Sequence, residues 1–153
     1  MDKIEKVLYS YKELKKASKR LRRKASTIDD GMKSNYKADD VIPGKVSAVS
    51  HEGSGPEDEV IRNNELILKA KRAEKLRETI KEDVEELIDE DPEVGEEMCD
   101  VIKMKYFFKF KNTKIEIRLS ISDATLYRRR KKALEVLRKN GLQHLYGEIS
   151  NIV

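Results

Sequence analysis

Between Thr113 and Leu137 the chain reads TKIEIRLSISDATLYRRRKKALEVL, and its reactive groups are cations and small hydroxyls. Planar guanidinium forks match the O6 and N7 acceptors of guanine, and ammonium groups suit phosphate oxygens. On a helix beginning near Ser122, the residues Ala124, Thr125, Arg128, Lys131 and Lys132 fall on one side, opposite Leu126, Ala133, Leu134 and Leu137. Small and cationic side chains opposite a buried stripe fit the major groove of duplex DNA. Candidate contacts are Thr113, Lys114, Ser122, Asp123, Ala124, Thr125, Tyr127, Arg128, Arg129, Lys131 and Lys132. Arg128, one turn after Ala124 and close to the helix start, is placed to read a base. Lys131 and Lys132 lie further along and suit phosphates.

Two short helices and a turn must present these groups. Thr113 followed three residues later by Glu116 has the spacing of a capping box, which predicts a first helix opening there. Ile115 and Leu119 form its apolar stripe, Ser120 and Ile121 make the turn, and Ser122 is a favourable N-cap for the second helix. Arg130 falls near the buried stripe, so its stem is expected to snorkel past Leu126 or its head to pair with an acidic helix upstream. The pattern is that of a helix-turn-helix.

The segment SISDATLYRRRKKALEVL resembles the last helix of region four of bacterial sigma factors. It is more similar still to small transcriptional regulators of Gram-positive phages, the RinA and ArpU type, which carry a sigma-like helix-turn-helix. The matching features are Met104-Lys105-Tyr106-Phe107 ending the preceding helix, Thr113 to Leu119, and Ser122, Thr125, Tyr127, Arg128, Ala133 and Leu134. The resemblance covers roughly Val94 to Leu142 and implies a late-gene activator that binds double-stranded DNA, with RNA polymerase as a further partner. That family tends to carry an apolar residue where this chain has Arg129, which leaves Arg129 for looser packing or for a phosphate.

Charge along the chain is strongly segregated. Residues 1–25 hold ten Lys/Arg against three acids, residues 57–100 seven against seventeen, and residues 103–139 thirteen against three. The basic C-terminal block coincides with the motif, as an electrostatic footprint for DNA should. The acidic middle would repel phosphates, so it is expected to face away from DNA or to shield a basic helix of its own chain or of a partner.

Charged residues make up 41% and hydrophobic ones 38%, with no Trp, a balance that favours helices around a small core. No apolar run approaches a membrane span, and the charged N-terminus offers no export signal. A single cysteine, Cys99, excludes an intrachain disulfide and fits a reducing cytoplasm, which the phage resemblance implies is that of a bacterial host cell. Cys99 beside the stripe of Met98, Val101, Ile102 and Tyr106 is expected to be a small buried apolar residue. His51 and His144 stand alone, without company at metal-ligand spacing, and the carboxylates repeat as helix surface. No cofactor, metal or enzymatic activity is expected. The run Tyr106 to Lys111 interleaves aromatics with Lys as single-strand platforms do, although core packing suits a helix end better.

The expected architecture is all-α: a long helical hairpin followed by a C-terminal helix-turn-helix. Residues 1–28 form a basic amphipathic helix with an a/d seam of Ile4, Val7, Tyr11, Leu14, Ser18, Leu21, Ala25 and Ile28, which packs within the chain or makes a homodimer. Residues 29–56, punctuated by Gly and Pro, form a flexible linker. Residues 57–91 form a long acidic helix, 93–142 the sigma region-four-like domain, and 143–153 a tail. Two other functions fit the pattern. One is a phage small terminase subunit, which combines a helix-turn-helix with ring assembly. The other is a helical protein-binding adaptor whose basic helix is merely solvated.

Overall fold

The computed structural model describes residues 1–41 and 56–153, with side chains over 1–27 and 58–153. Among the described residues the fold is all-helical and contains no strand. Helix α1 runs Lys3–Val41, α2 Pro56–Glu85, α3 Leu87–Glu90 and α4 Gly95–Ile102. A π-helical segment, Lys103–Phe107, ends α4; α5 spans Asn112–Leu119 and α6 Asp123–Lys139; a 3₁₀ turn, Leu142–Leu145, leads into α7, Tyr146–Ser150. No helix is long and apolar enough to cross a membrane among the described residues. The chain divides into two compact units, Met1–Lys16 with Ala73–Val153, and Ala17–Arg72.

In the first unit the seam residues Ile4, Val7 and Leu14 are fully buried, together with Leu8. Ala73, Leu76, Ile80 and Val84 bury the matching stripe of α2. In the second unit Ser18, Leu21 and Ala25 are buried, as is Ala70 of α2. Ile28 of the expected seam lies outside the described side chains.

The linker expected from Asp29 begins later, because α1 continues through Gly31 to Val41. A single interior glycine costs a helix only about 1 kcal/mol, and no proline intervenes before Pro43. The rest of that linker, with His51, lies outside the described residues. The acidic helix also ends earlier than expected. It breaks at Glu86, resumes briefly as α3, and turns at Asp91, whose Oδ1 accepts the backbone N–H groups of Glu93 (2.9 Å) and Val94 (3.3 Å). Helix α4 therefore opens at Gly95 rather than Glu93. Gly95 is required there, since a Cβ would stand 2.5 Å from the carbonyl oxygens of both Leu87 and Ile88.

The residues expected to form a tail, 143–153, instead fold back. Leu142, Ile149 and Ile152 are buried, which is how a short segment with regularly spaced apolar groups removes them from water. At the end of α4 the backbone widens into i→i+5 bonding, with Phe108 N–H donating to Lys103 C=O at 2.9 Å. This turns Tyr106 and Phe107 inward. Tyr106 meets the edge of Tyr9 (centroids 4.7 Å), and Phe107 stacks on Tyr11 (3.9 Å, 17°). Core packing thus accounts for these two rings.

Candidate nucleic-acid interface

Helices α5 and α6 are held together by a local core in which Val101 of α4, Ile115 of α5 and Leu126 of α6 meet, flanked by Leu119 and Ile121. Ser120 adopts the left-handed conformation (φ 53°) at the end of α5, and Ile121 N–H closes the turn onto Glu116 C=O at 3.0 Å. Ser122 is extended and caps α6, its Oγ accepting the Thr125 N–H at 3.2 Å. The stripe of Leu126, Ala133, Leu134 and Leu137 is buried.

The capping box expected at the start of α5 is not formed. Lys111, extended, holds the cap position without a side-chain bond, and its carbonyl takes the N–H groups of Lys114 and Ile115. The helix thereby starts one residue before Thr113, which is exposed within its first turn. Asn112 is occupied by Lys105, whose Nζ donates to its Oδ1 at 2.8 Å. Lys114 and Arg118 gather over the Phe110 ring, at 3.9 and 5.0 Å.

On α6, Ser122, Asp123, Ala124, Tyr127, Arg128, Lys131 and Lys132 are exposed and Thr125 is half-buried. Ser122 Oγ donates to Thr125 Oγ1 at 2.9 Å, and Arg128 Nη2 donates to the same oxygen at 3.2 Å. The cap therefore fixes a hydroxyl that in turn steadies a guanidinium. Asn112, Asp123, Ala124, Tyr127 and Arg128 border a shallow cleft of about 370 Å³ whose floor is Leu126. Arg130, half-buried, lines it too.

Two cations depart from the expected arrangement. Arg129 turns toward the protein and donates from Nε to Glu97 Oε1 of α4 at 2.9 Å. It stands three residues after buried Leu126 and four before buried Ala133, so helical geometry sends it to the flank of the packed side. The pairing foreseen for Arg130 is thus made by Arg129, and Arg129 is a clasp between α6 and α4. Lys132, although on the outer side, donates from Nζ to Asp91 Oδ2 at 2.6 Å. That bond, with the backbone donors of Glu93 and Val94, holds the Asp91 carboxyl down to about 2 from its ordinary 3.8. Its stabilising contribution is present above pH 3.8, is lost progressively as pH falls from there, and is gone below about 2.

Asp91 and Glu97 are the participants that composition alone did not single out. The acidic stretch was expected to face away or to shield, and at these two residues it lies against the basic helix. Acids so far upstream carry no local signal of this. Cys99 is buried as expected, and burial pushes its thiol pKa up, away from reactivity. His144 is exposed at the surface. Among the described residues no group of His, Cys, Asp and Glu could hold a metal ion.

Compared with known protein families, curated proteins and solved structures, the chain matches none. The chemistry must be argued from the side chains themselves. Between α5 and α6 they offer a capped helix start, an oriented guanidinium, the exposed Lys131 and an exposed aromatic ring.

Proposed function

We propose that this protein is a sequence-specific double-stranded DNA-binding transcriptional regulator, with α5, the Ser120–Ser122 turn and α6 as its helix-turn-helix and α6 as the reading helix. The long helices α1 and α2 serve as a helical hairpin that supports it. The similarity to phage regulators of the RinA and ArpU type suggests a late-gene activator acting in a bacterial host cell, with RNA polymerase or a second copy as additional partners. The observation that carries this reading is Arg128, held by the Ser122–Thr125 cap on the outer face of α6. A merely solvated face has no need to tie its arginine to the helix start.

The test is selection of bound sites from random duplexes by the full chain, followed by titration of the selected site across salt concentrations. A common motif should emerge, and affinity should fall steeply with salt, about 0.9 in log–log slope per phosphate contacted. Absence of duplex binding at low salt would leave the adaptor function standing. A stable oligomer larger than a dimer, enriching packaging-type sites, would favour the terminase function.

Asp91 supplies a sharper expectation. Its Oδ2 occupies Lys132, whereas its Oδ1 caps the turn through Glu93 and Val94. Asp91→Asn keeps the capping oxygen and removes the charge, so Lys132 is released to a phosphate. Duplex affinity at low salt should rise and the salt slope should steepen by about 0.9. An unchanged slope would mean that Lys132 does not reach the backbone even when freed.

A further inference from the structure

A second basic surface lies within the same unit, walled mainly by other helices and bordering α5 at Phe110, whose ring carries Lys114 and Arg118. Lys12 and Lys15 of α1, Arg77 and Lys81 of α2, and Lys103 of the π-helical segment wall a groove of about 560 Å³, and no carboxylate lines it. Four aromatic rings also line it: Tyr11 and Phe107, stacked on each other, and Phe108 and Phe110, nearly parallel at 5.6 Å and 25°. Of these Phe108 is 59% exposed.

The cations divide into two kinds. Lys103 is engaged by Glu85 at 3.2 Å, and Arg77 lies over the Tyr11 ring at 4.3 Å with its buried Nε unpartnered by any hydrogen bond. Lys12 and Lys15 are exposed on the rim and Lys81 is half-buried opposite them. The cations around the groove repel one another, and Phe108 offers an exposed ring beside them. A polyanion with flat bases would neutralise the one and stack on the other.

We propose that this groove binds single-stranded nucleic acid, one base stacking on Phe108 and its flanking phosphates lying between Lys12, Lys15 and Lys81. A duplex presents phosphates but keeps its base faces stacked, so it would leave Phe108 unused. Single strands offer both features, which is the combination that sequence-tolerant strand-binding grooves use. The inference is separate from the duplex reading of α6, since it shares none of the residues assigned there.

The chain contains no Trp, so Phe108→Trp gives a single tryptophan, excited selectively over the six tyrosines, that preserves the stacking surface. Titrating this protein with oligo(dT) should quench its fluorescence, and oligo(rU) shows whether ribose is accepted equally. Phe108→Ala should weaken oligo(dT) binding, read by anisotropy of a labelled strand, about 5- to 150-fold. An abasic oligonucleotide of equal length should bind the parent chain as weakly as oligo(dT) binds Phe108→Ala. Lys12→Ala and Lys81→Ala should each lower the salt slope by about 0.7. Lys131→Ala, on α6, should leave all of this unchanged, which separates failure here from failure of the duplex reading. Equal binding of abasic and base-bearing strands, an unquenched Phe108→Trp protein, or full displacement of oligo(dT) by duplex would each overturn the proposal. Because Phe108 is exposed, both variants should retain the parent circular dichroism, so a negative result speaks to binding.

Discussion

Arg128→Ala is expected to lower affinity for the preferred duplex far more than affinity for scrambled DNA. A bidentate guanidinium–guanine contact contributes on the order of 1–3 kcal/mol of discrimination, about a 5- to 150-fold change in the ratio of the two affinities. Arg128 is suited to this because its Nη2 already rests on Thr125 Oγ1, which Ser122 also holds. Part of the ordering cost of a long side chain is therefore met before DNA arrives. Lys131 is exposed one turn further on, and the geometry provides it with no comparable anchor. Lys131→Ala should weaken specific and scrambled duplexes alike and reduce the salt slope by about 0.9. Thr125→Val, which removes the anchoring hydroxyl, should reproduce part of the Arg128→Ala loss. Measuring all three proteins on both duplexes at two salt concentrations decides the matter. Equal losses on both duplexes for Arg128→Ala would reduce it to a phosphate contact, and base reading would pass to Asp123, Thr125 or Tyr127.

The second large effect is structural. Gly95→Ala should destabilise the protein by about 1–3 kcal/mol, since the new methyl meets two backbone carbonyl oxygens at 2.5 Å and neither can rotate away. In a chain of this size that corresponds to a fall in thermal midpoint of roughly 2–4 °C for each kcal/mol. Gly147→Ala is the matched control. Nothing lies within 4 Å of a Cβ there, and the residue sits inside α7, so the midpoint should hold or rise slightly. Equal midpoints for the two variants would show that α3 and α4 separate freely, contrary to the contact that defines them. Relaxation at Gly95 also displaces Asp91 and Glu97, the acids that hold Lys132 and Arg129. The Gly95→Ala protein should therefore bind duplex with an altered salt slope as well as melt earlier.

Much of the α5–α6 unit was legible because its determinants are local. A hydroxyl placed three residues before the N–H it caps is a short-range bond, and Ser122 forms it. Apolar residues recurring at helical spacing must share one face, and Leu126, Ala133, Leu134 and Leu137 do. The Thr113–Glu116 spacing was equally local but competed with another local solution. Lys105 claimed Asn112 and the helix started earlier, leaving the box unused. Asp29 and Gly31 read as a break, yet one interior glycine costs a helix only about 1 kcal/mol.

By itself, the sequence determined the helical class, the buried stripes of α1 and α6, and the collection of cations on the outer side of α6. Each follows from the 3.6-residue period and from side-chain chemistry, which need no distant partner. Only the tertiary structure decided which of those cations are available. Lys132 meets an acid 41 residues away and Arg129 one 32 residues away, separations over which no pattern in the chain predicts contact. The same holds for the groove beside Phe108. The widened turn at Lys103–Phe107 sends two adjacent rings inward and leaves the third outside, beside lysines from α1 and α2 that are remote in the chain. A hydrogen-bond register shifted by one residue rotates everything after it, and packing rather than composition sets that register.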